Sequence, residues 1–146
     1  MPTDIQEPAD ELARAAVRVV APEESPVFDE TAQEYHAHPR VARGLERTEE
    51  LGFGLDLAMV TPVALAVAGA VVHYLVSAFA DRAAEETTRA VLAKIRRRPE
   101  APPLAPEHLG EIRRISIEHS TQLGLDSERA ALLADAIVGA LTDVEE

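Results

Sequence analysis

The feature that most constrains this chain is Leu57–Ala80, a run of 24 residues that contains no Asp, Glu, Lys or Arg. A transmembrane helix needs about 20 apolar residues to cross the hydrocarbon core of a bilayer, so this run is long enough to span a membrane. A soluble helical bundle can accommodate the same run as a central helix that is buried on all sides. The expected location and function of the protein depend on which arrangement holds.

The start of the main helix in this run is predicted at Thr61-Pro62, because Thr is a good N-cap residue and Pro suits the first helical turn. Apart from Gly69, no helix breaker follows before Pro99. We therefore predict one long helix within 55–98, apolar first and amphipathic later, with a candidate membrane span at about 57–80. The alternative is a helix that begins at Leu55 and is kinked at Pro62.

The rest of the chain also predicts helices. Aromatic residues are few, with three Phe, two Tyr and no Trp, whereas strands favour aromatic and β-branched residues. The predicted fold is therefore all-α, with an acidic N-terminal segment (1–54), the long helix (55–98), a Pro-rich linker (99–106) and a C-terminal hairpin (107–146). Within the N-terminal segment we expect short helices over Asp10–Ala21, from Ser25-Pro26 to about His36, and from Arg40 to about Leu51.

The C-terminal hairpin carries the most specific local signals. Apolar residues recur at helical spacing over Glu107–Leu123 and again over Asp126–Val144. Gly124 is a typical helix stop, and Leu125 just beyond it is expected to pack back on the helix end. Asp126 is expected to cap the second helix.

Small and weakly polar residues share one side of the apolar helix. We call this side the small-residue face, and its members recur at three- and four-residue steps: Ala66, Gly69, Ala70, His73 and Ser77. Small side chains at this spacing let a second helix approach closely, both in lipid and in a bundle. The sequence therefore predicts a helix–helix interface here and a homo-oligomer.

A membrane span is favoured because the other helices are short and modestly apolar, so they could hardly cover all sides of this one. More basic residues follow the run than precede it, which places the C-terminal side in the cytoplasm. The segment after the run supplies candidate contacts to anionic lipid headgroups, namely Lys94, Arg96, Arg97 and Arg98. The hairpin is expected to dock another protein through its apolar stripes, represented by Leu109, Ile112, Leu133 and Ile137.

Composition argues against several kinds of function. The chain has no cysteine, so disulfide scaffolds and thiolate chemistry are excluded. The net charge is −12, and the short basic segment is a poor footprint for nucleic acid. His36 and His38 lack a third ligand at metal-site spacing. No catalytic constellation is present in the sequence, so neither an enzyme nor a cofactor is expected.

These patterns predict a small single-span membrane protein that acts by self-association and partner docking, as an anchored adaptor or as a membrane-perturbing effector. The alternative is a soluble, cytoplasmic all-α assembly or scaffold protein whose apolar helix is buried between protomers.

Overall fold

The computed structural model describes residues 2–37, 60–79, 81, 83–98 and 104–142, and all regular structure in these ranges is helical. The all-α prediction is confirmed. The predicted helix over Arg40–Leu51 lies outside the described residues. The elements are α1 (Pro2–Val20), a 3₁₀ helix (Pro22–Val27), α2 (Phe28–Ala37), α3 (Thr61–Ala78), α4 (Ala84–Ile95), α5 (Pro106–Gln122) and α6 (Ser127–Leu141).

Helix α3 lies at the centre and packs against α1, α5 and α2, while α6 packs against both α1 and α5. One hydrophobic core connects these helices, since Leu12 of α1, Val67 of α3 and Ile112 of α5 belong to the same buried cluster. The C-terminal hairpin shares this core. Burial of these apolar side chains is the main stabilising contribution, because each removes a large apolar area from water.

Helix α1 begins earlier than the sequence indicates, at Pro2 instead of Asp10. The extra turns continue the buried stripe, because Ala9 is buried and Ile5 packs against the core. Pro8 lies inside the helix and cannot donate a backbone hydrogen bond to the preceding turn. Tertiary packing of Ile5 and Ala9 therefore offsets a local helix breaker.

The predicted long helix is divided into two. Helix α3 ends at Ala78, where Phe79 leaves helical geometry with φ −106° and ψ 50°, and α4 starts after Ala83 in extended conformation. The division turns α4 back so that it packs against α1, with Val91 buried. A continuous helix would carry this amphipathic face away from the core, so burial outweighs the local helix propensity.

The hairpin prediction is confirmed at its turn. The backbone N–H of Leu125 donates to the carbonyl of Ser120 at 3.0 Å, and that of Gly124 donates to the carbonyl of Thr121 at 3.1 Å. Gly124 has φ +105°, the left-handed conformation that glycine tolerates best. Leu125 is buried against the helix end. Asp126 occupies the N-cap position of α6, but its carboxylate accepts from Arg129 Nε at 2.9 Å and does not cap the backbone.

Candidate functional site

The small-residue face of α3 points away from the core. Ala66, Gly69 and Ala70 are partly exposed, and His73 and Ser77 are exposed. The larger side chains of the same helix point inward and are buried, namely Val63, Leu65, Val67, Val71, Val72 and Leu75. The structure thus brings the five predicted interface residues together on one accessible side, with the bulk of the apolar surface turned towards the chain's own core.

Gly69 has no packing role within the described chain. Apart from its chain neighbours and the backbone of its own helix, a Cβ atom added at Gly69 would meet no heavy atom of the described residues within 4 Å. Glycine in a helix interior is less favourable than alanine by about 1 kcal/mol. The glycine therefore lowers helix stability at a position where the neighbouring helices of the described chain do not require a small residue.

The N-terminus of α3 is held by a side chain from another element. The carboxylate of Glu24, in the 3₁₀ helix, accepts the backbone N–H of Val60 at 2.8 and 3.0 Å. It also accepts the backbone N–H of Thr61 at 2.9 Å and the Thr61 hydroxyl at 2.6 Å. Glu24 is only 8% exposed. The negative charge lies against the positive end of the helix dipole, and it satisfies amides that the helix leaves without partners.

This arrangement corrects the sequence-based assignment of the cap. Thr61 is the first helical residue and Val60 is the N-cap, so the Thr61 hydroxyl donates to Glu24 and does not cap its own helix. Ser25-Pro26 lies inside the 3₁₀ helix, and α2 begins only at Phe28. The capping carboxylate was missed because it lies 36 and 37 positions earlier in the chain than the two residues it binds.

The residues predicted to dock a partner from the hairpin lie inside the fold. Ile112, Leu133 and Ile137 are 0% exposed, and Leu109 is partly buried against the same core. In this structure they stabilise the bundle. On the described part of the hairpin, the exposed large apolar side chain is Leu132, at 47% exposure, and a single one of this kind is normal for a protein surface.

Two arginines of the basic segment predicted to contact lipid headgroups, Arg96 and Arg97, contact other helices of the bundle. Lys94 is buried. Arg96 Nη2 donates to Glu11 Oε2 at 2.8 Å and lies 3.5 Å from Glu7 Oε2. The hydrogen bond from Arg96 lowers the pKa of the Glu11 carboxyl, with the nearby positive charge acting in the same direction and partial burial opposing it.

The two remaining arginines of this segment differ from each other. Arg97 adopts φ +60°, and its guanidinium donates to the carbonyls of Thr142 at 2.6 Å and Gly139 at 3.2 Å. These carbonyls lie at the end of α6, where a cation is favourable. Arg98 is exposed. The segment therefore joins α4 to α1 through Arg96 and to α6 through Arg97.

The histidines occupy separate places. His36 Nε2 lies 2.8 Å from Asp10 Oδ1, which links α2 to α1, whereas His38 lies outside the described residues. His119 Nδ1 lies 3.1 Å from the Ile115 carbonyl. The ring centroid of His108 lies 4.9 Å from that of Phe79 and 6.4 Å from that of Tyr74. Over the ranges that the structure covers, no three side chains of the metal-ligating types come together.

A shallow pocket on α1 is a further concave feature of the described surface. Its volume is about 410 Å³, and it is lined by Gln6, Glu7, Asp10, Glu11 and Arg14. Two of its acidic residues are paired with Arg96 and one with His36. Its charges are therefore used in contacts between helices.

Among the described residues, Thr61–Ala78 is the one helix that is long and apolar enough to cross a membrane, with a mean hydropathy of 1.6, and half of it is buried in the fold. The core helix of a soluble protein has the same properties. No protein-family model, curated protein or solved structure matches this chain.

Proposed function

We propose that the protein is a soluble all-α assembly protein that self-associates through the small-residue face of α3. In this role the bundle is a protomer, and α3 of one copy lies against α3 of another. The protein acts as a scaffold or adaptor and performs no catalysis. This is the alternative that the sequence allowed beside a membrane span.

Gly69 is the observation that carries the proposal. It lies at the centre of the small-residue face, is accessible, and has open space above it within the described chain. Close approach of a second helix accounts for the absence of a side chain, since small residues let two helix backbones come near each other. Ala66, Ala70 and Ser77 extend the same surface on either side.

The contacts at the other side of α3 support a bundle in water. The large apolar residues of α3 are covered by α1, α2 and α5. Its N-terminus is bound by the buried carboxylate of Glu24. Insertion of α3 into lipid would expose the apolar faces of its neighbours and break these hydrogen bonds, both of which cost free energy.

The test is the molar mass of the purified protein in solution, measured by light scattering after size-exclusion chromatography. Gly69→Leu is expected to shift the mass towards that of the monomer, because the leucine side chain separates the two helices. Gly110→Leu is the matched control, since Gly110 lies on α5, is exposed and also has open space around it. A monomeric wild type, or equal masses for all three proteins, would contradict the proposal.

The second candidate is a single-span membrane protein with α3 as the span and the C-terminal side in the cytoplasm. It is supported by the length and hydropathy of Thr61–Ala78 and by the absence of charge throughout Leu57–Ala80. The small-residue face would then pair helices within the bilayer. Cell fractionation with a carbonate wash tests it, because a span stays in the pellet and a soluble bundle is released.

A further inference from the structure

Glu24 holds α3 from outside the helix, and α3 offers few other polar attachments. Within Thr61–Ala78 there is no Asp, Glu, Lys or Arg, so no ion pair of these residue types with a neighbouring helix can fix its position. Its inner side is held by apolar packing. The hydrogen bonds from Val60 and Thr61 to Glu24 are therefore the polar contacts that tie this helix to the 3₁₀ helix.

The carboxylate is well placed to act on α3 specifically. It has no cationic partner among the residues that the structure describes, and its hydrogen bonds all go to the first turn of α3. Glu23, its neighbour, is exposed, as is Arg18 at the end of α1. Loss of the negative charge would weaken the contact with the positive end of α3, and it would leave one acceptor oxygen where the carboxylate offers two.

Once released, α3 has the dimensions of a membrane-inserting segment. Its 18 residues span about 27 Å at 1.5 Å per residue, close to the roughly 30 Å of the hydrocarbon core. Neither of its sides carries Asp, Glu, Lys or Arg, and the small-residue face consists of small residues together with His73. In length and composition, the released helix therefore fits the hydrocarbon core of a lipid bilayer.

We propose that Glu24 is a latch that keeps α3 in the bundle, and that release of this latch lets α3 insert into a lipid bilayer. The inference rests on the second candidate function above and adds the element that controls it. The bundle and the inserted state are two populations, and the hydrogen bonds to Glu24 stabilise only the first. Weakening these bonds shifts the protein towards the membrane.

The experiment measures binding of the full chain to vesicles of phosphatidylcholine with a quarter phosphatidylglycerol, by flotation. Glu24→Gln keeps the size of the side chain and removes its charge, and Glu23→Gln makes the same change at the exposed neighbour. The partition coefficient of Glu24→Gln between water and vesicles is expected to exceed that of the wild type by roughly thirtyfold, because a hydrogen bond to a charged acceptor contributes about this factor to an equilibrium constant. Glu23→Gln is expected to behave as the wild type.

A second measurement separates insertion of α3 from general unfolding. Because the chain has no cysteine, a polarity-sensitive dye can be attached through Ser77→Cys on α3 or Ser127→Cys on α6. In the Glu24→Gln background, the emission of the dye on α3 is expected to change as the helix enters lipid. The emission of the dye on α6 is expected to stay unchanged. Ile137→Ala, which destabilises the core away from Glu24, is expected to leave vesicle binding near the wild-type level.

Three results would overturn the latch. Equal binding by the wild type and Glu24→Gln would leave the membrane proposal intact and remove the role of Glu24. Equal binding by Ile137→Ala and Glu24→Gln would assign the effect to general unfolding. Absence of vesicle binding by every variant would refute both the latch and, together with release of the wild type by carbonate, the membrane proposal itself.

Discussion

The guanidinium of Arg97 donates a hydrogen bond of 2.6 Å to the carbonyl of Thr142 and thereby joins the end of α4 to the end of α6. Arg97 itself lies in the left-handed region, with φ +60°, at the position where glycine usually ends a helix. The backbone N–H groups of Arg97 and Arg98 donate to the carbonyls of Lys94 and Ala93 and complete the turn. One residue thus ends its own helix and caps another.

This double role predicts an unusual order of stability for variants at position 97. Arg97→Ala loses the hydrogen bonds to α6 and keeps the unfavourable backbone conformation. Arg97→Gly loses the same bonds but removes the backbone strain, because glycine tolerates a positive φ. It is therefore expected to be more stable than Arg97→Ala by about 1 kcal/mol. Both are expected to be less stable than the wild type. Urea unfolding followed by circular dichroism measures all three free energies.

The neighbouring arginine supplies the control for the Arg97 series. Arg98 is exposed and has negative φ, so there Ala is expected to be at least as stable as Gly. If Arg97→Ala proved as stable as Arg97→Gly, the backbone at position 97 would not carry the strain inferred from its φ angle.

The elements that the sequence predicted well are those whose signals are local. Gly124 and Leu125 ended α5 as expected, because a left-handed turn and its apolar contact involve residues within six positions of each other. The apolar periodicity of the hairpin was also sufficient to identify an apolar stripe on each of its helices. Periodicity could not tell whether such a stripe packs in the chain's own core or against a partner. Ile112 and Ile137, which we predicted on a docking surface, lie in the interior.

The features that were missed depend on contacts distant in sequence. No local residue type between Pro62 and Pro99 marks the end of α3 at Ala78, which follows from the packing of α4 on α1. The cap of α3 comes from Glu24, and nothing near Thr61 indicates it. The small-residue face is the intermediate case, since the spacing of Gly69 and His73 predicts a shared side and the packing of the fold turns this side outward.

The pairing of Glu11 with Arg96 predicts a pH dependence of stability. Its hydrogen bond lowers the pKa of Glu11 from the ordinary value of 4.5, so the folded state favours the ionised carboxylate. The resulting stabilisation is present above the ordinary pKa and is lost as pH falls through the lower folded-state pKa. Urea unfolding at neutral and at acidic pH measures this effect. The free energy of unfolding is expected to fall less on acidification in Arg96→Gln than in the wild type.

Arg98→Gln is the control for this titration, because it removes the same charge at an exposed position two residues after Arg96. Its pH dependence is expected to follow the wild type. A nuclear magnetic resonance titration of Glu11 gives a direct check, since its pKa is expected to rise in Arg96→Gln. An unchanged pKa of Glu11 in that variant would contradict the assignment of Arg96 as the main cause.

The buried carboxylate of Glu24 predicts a large effect of a conservative change. Glu24→Gln is expected to lower the free energy of unfolding by about 2 kcal/mol, because it removes the charge and replaces one of the two acceptor oxygens by an NH2 group that faces backbone donors. Glu23→Gln is expected to stay within about 0.5 kcal/mol of the wild type, as is usual for exposed positions. Urea unfolding in the absence of lipid measures both free energies. Equal losses in Glu24→Gln and Glu23→Gln would show that the hydrogen bonds of Glu24 do not stabilise the fold.

Two glycines are expected to respond oppositely to the same substitution. Gly124 has φ +105°, so Gly124→Ala is expected to lower the free energy of unfolding by about 1 kcal/mol. Gly69 lies within α3, where an added Cβ atom would meet open space, so Gly69→Ala is expected to raise the free energy of unfolding of the protomer by up to about 1 kcal/mol. Measurements at concentrations where the protein is monomeric isolate this effect from association. A loss of protomer stability in Gly69→Ala would show that the glycine serves the fold itself, and self-association would then no longer account for its presence.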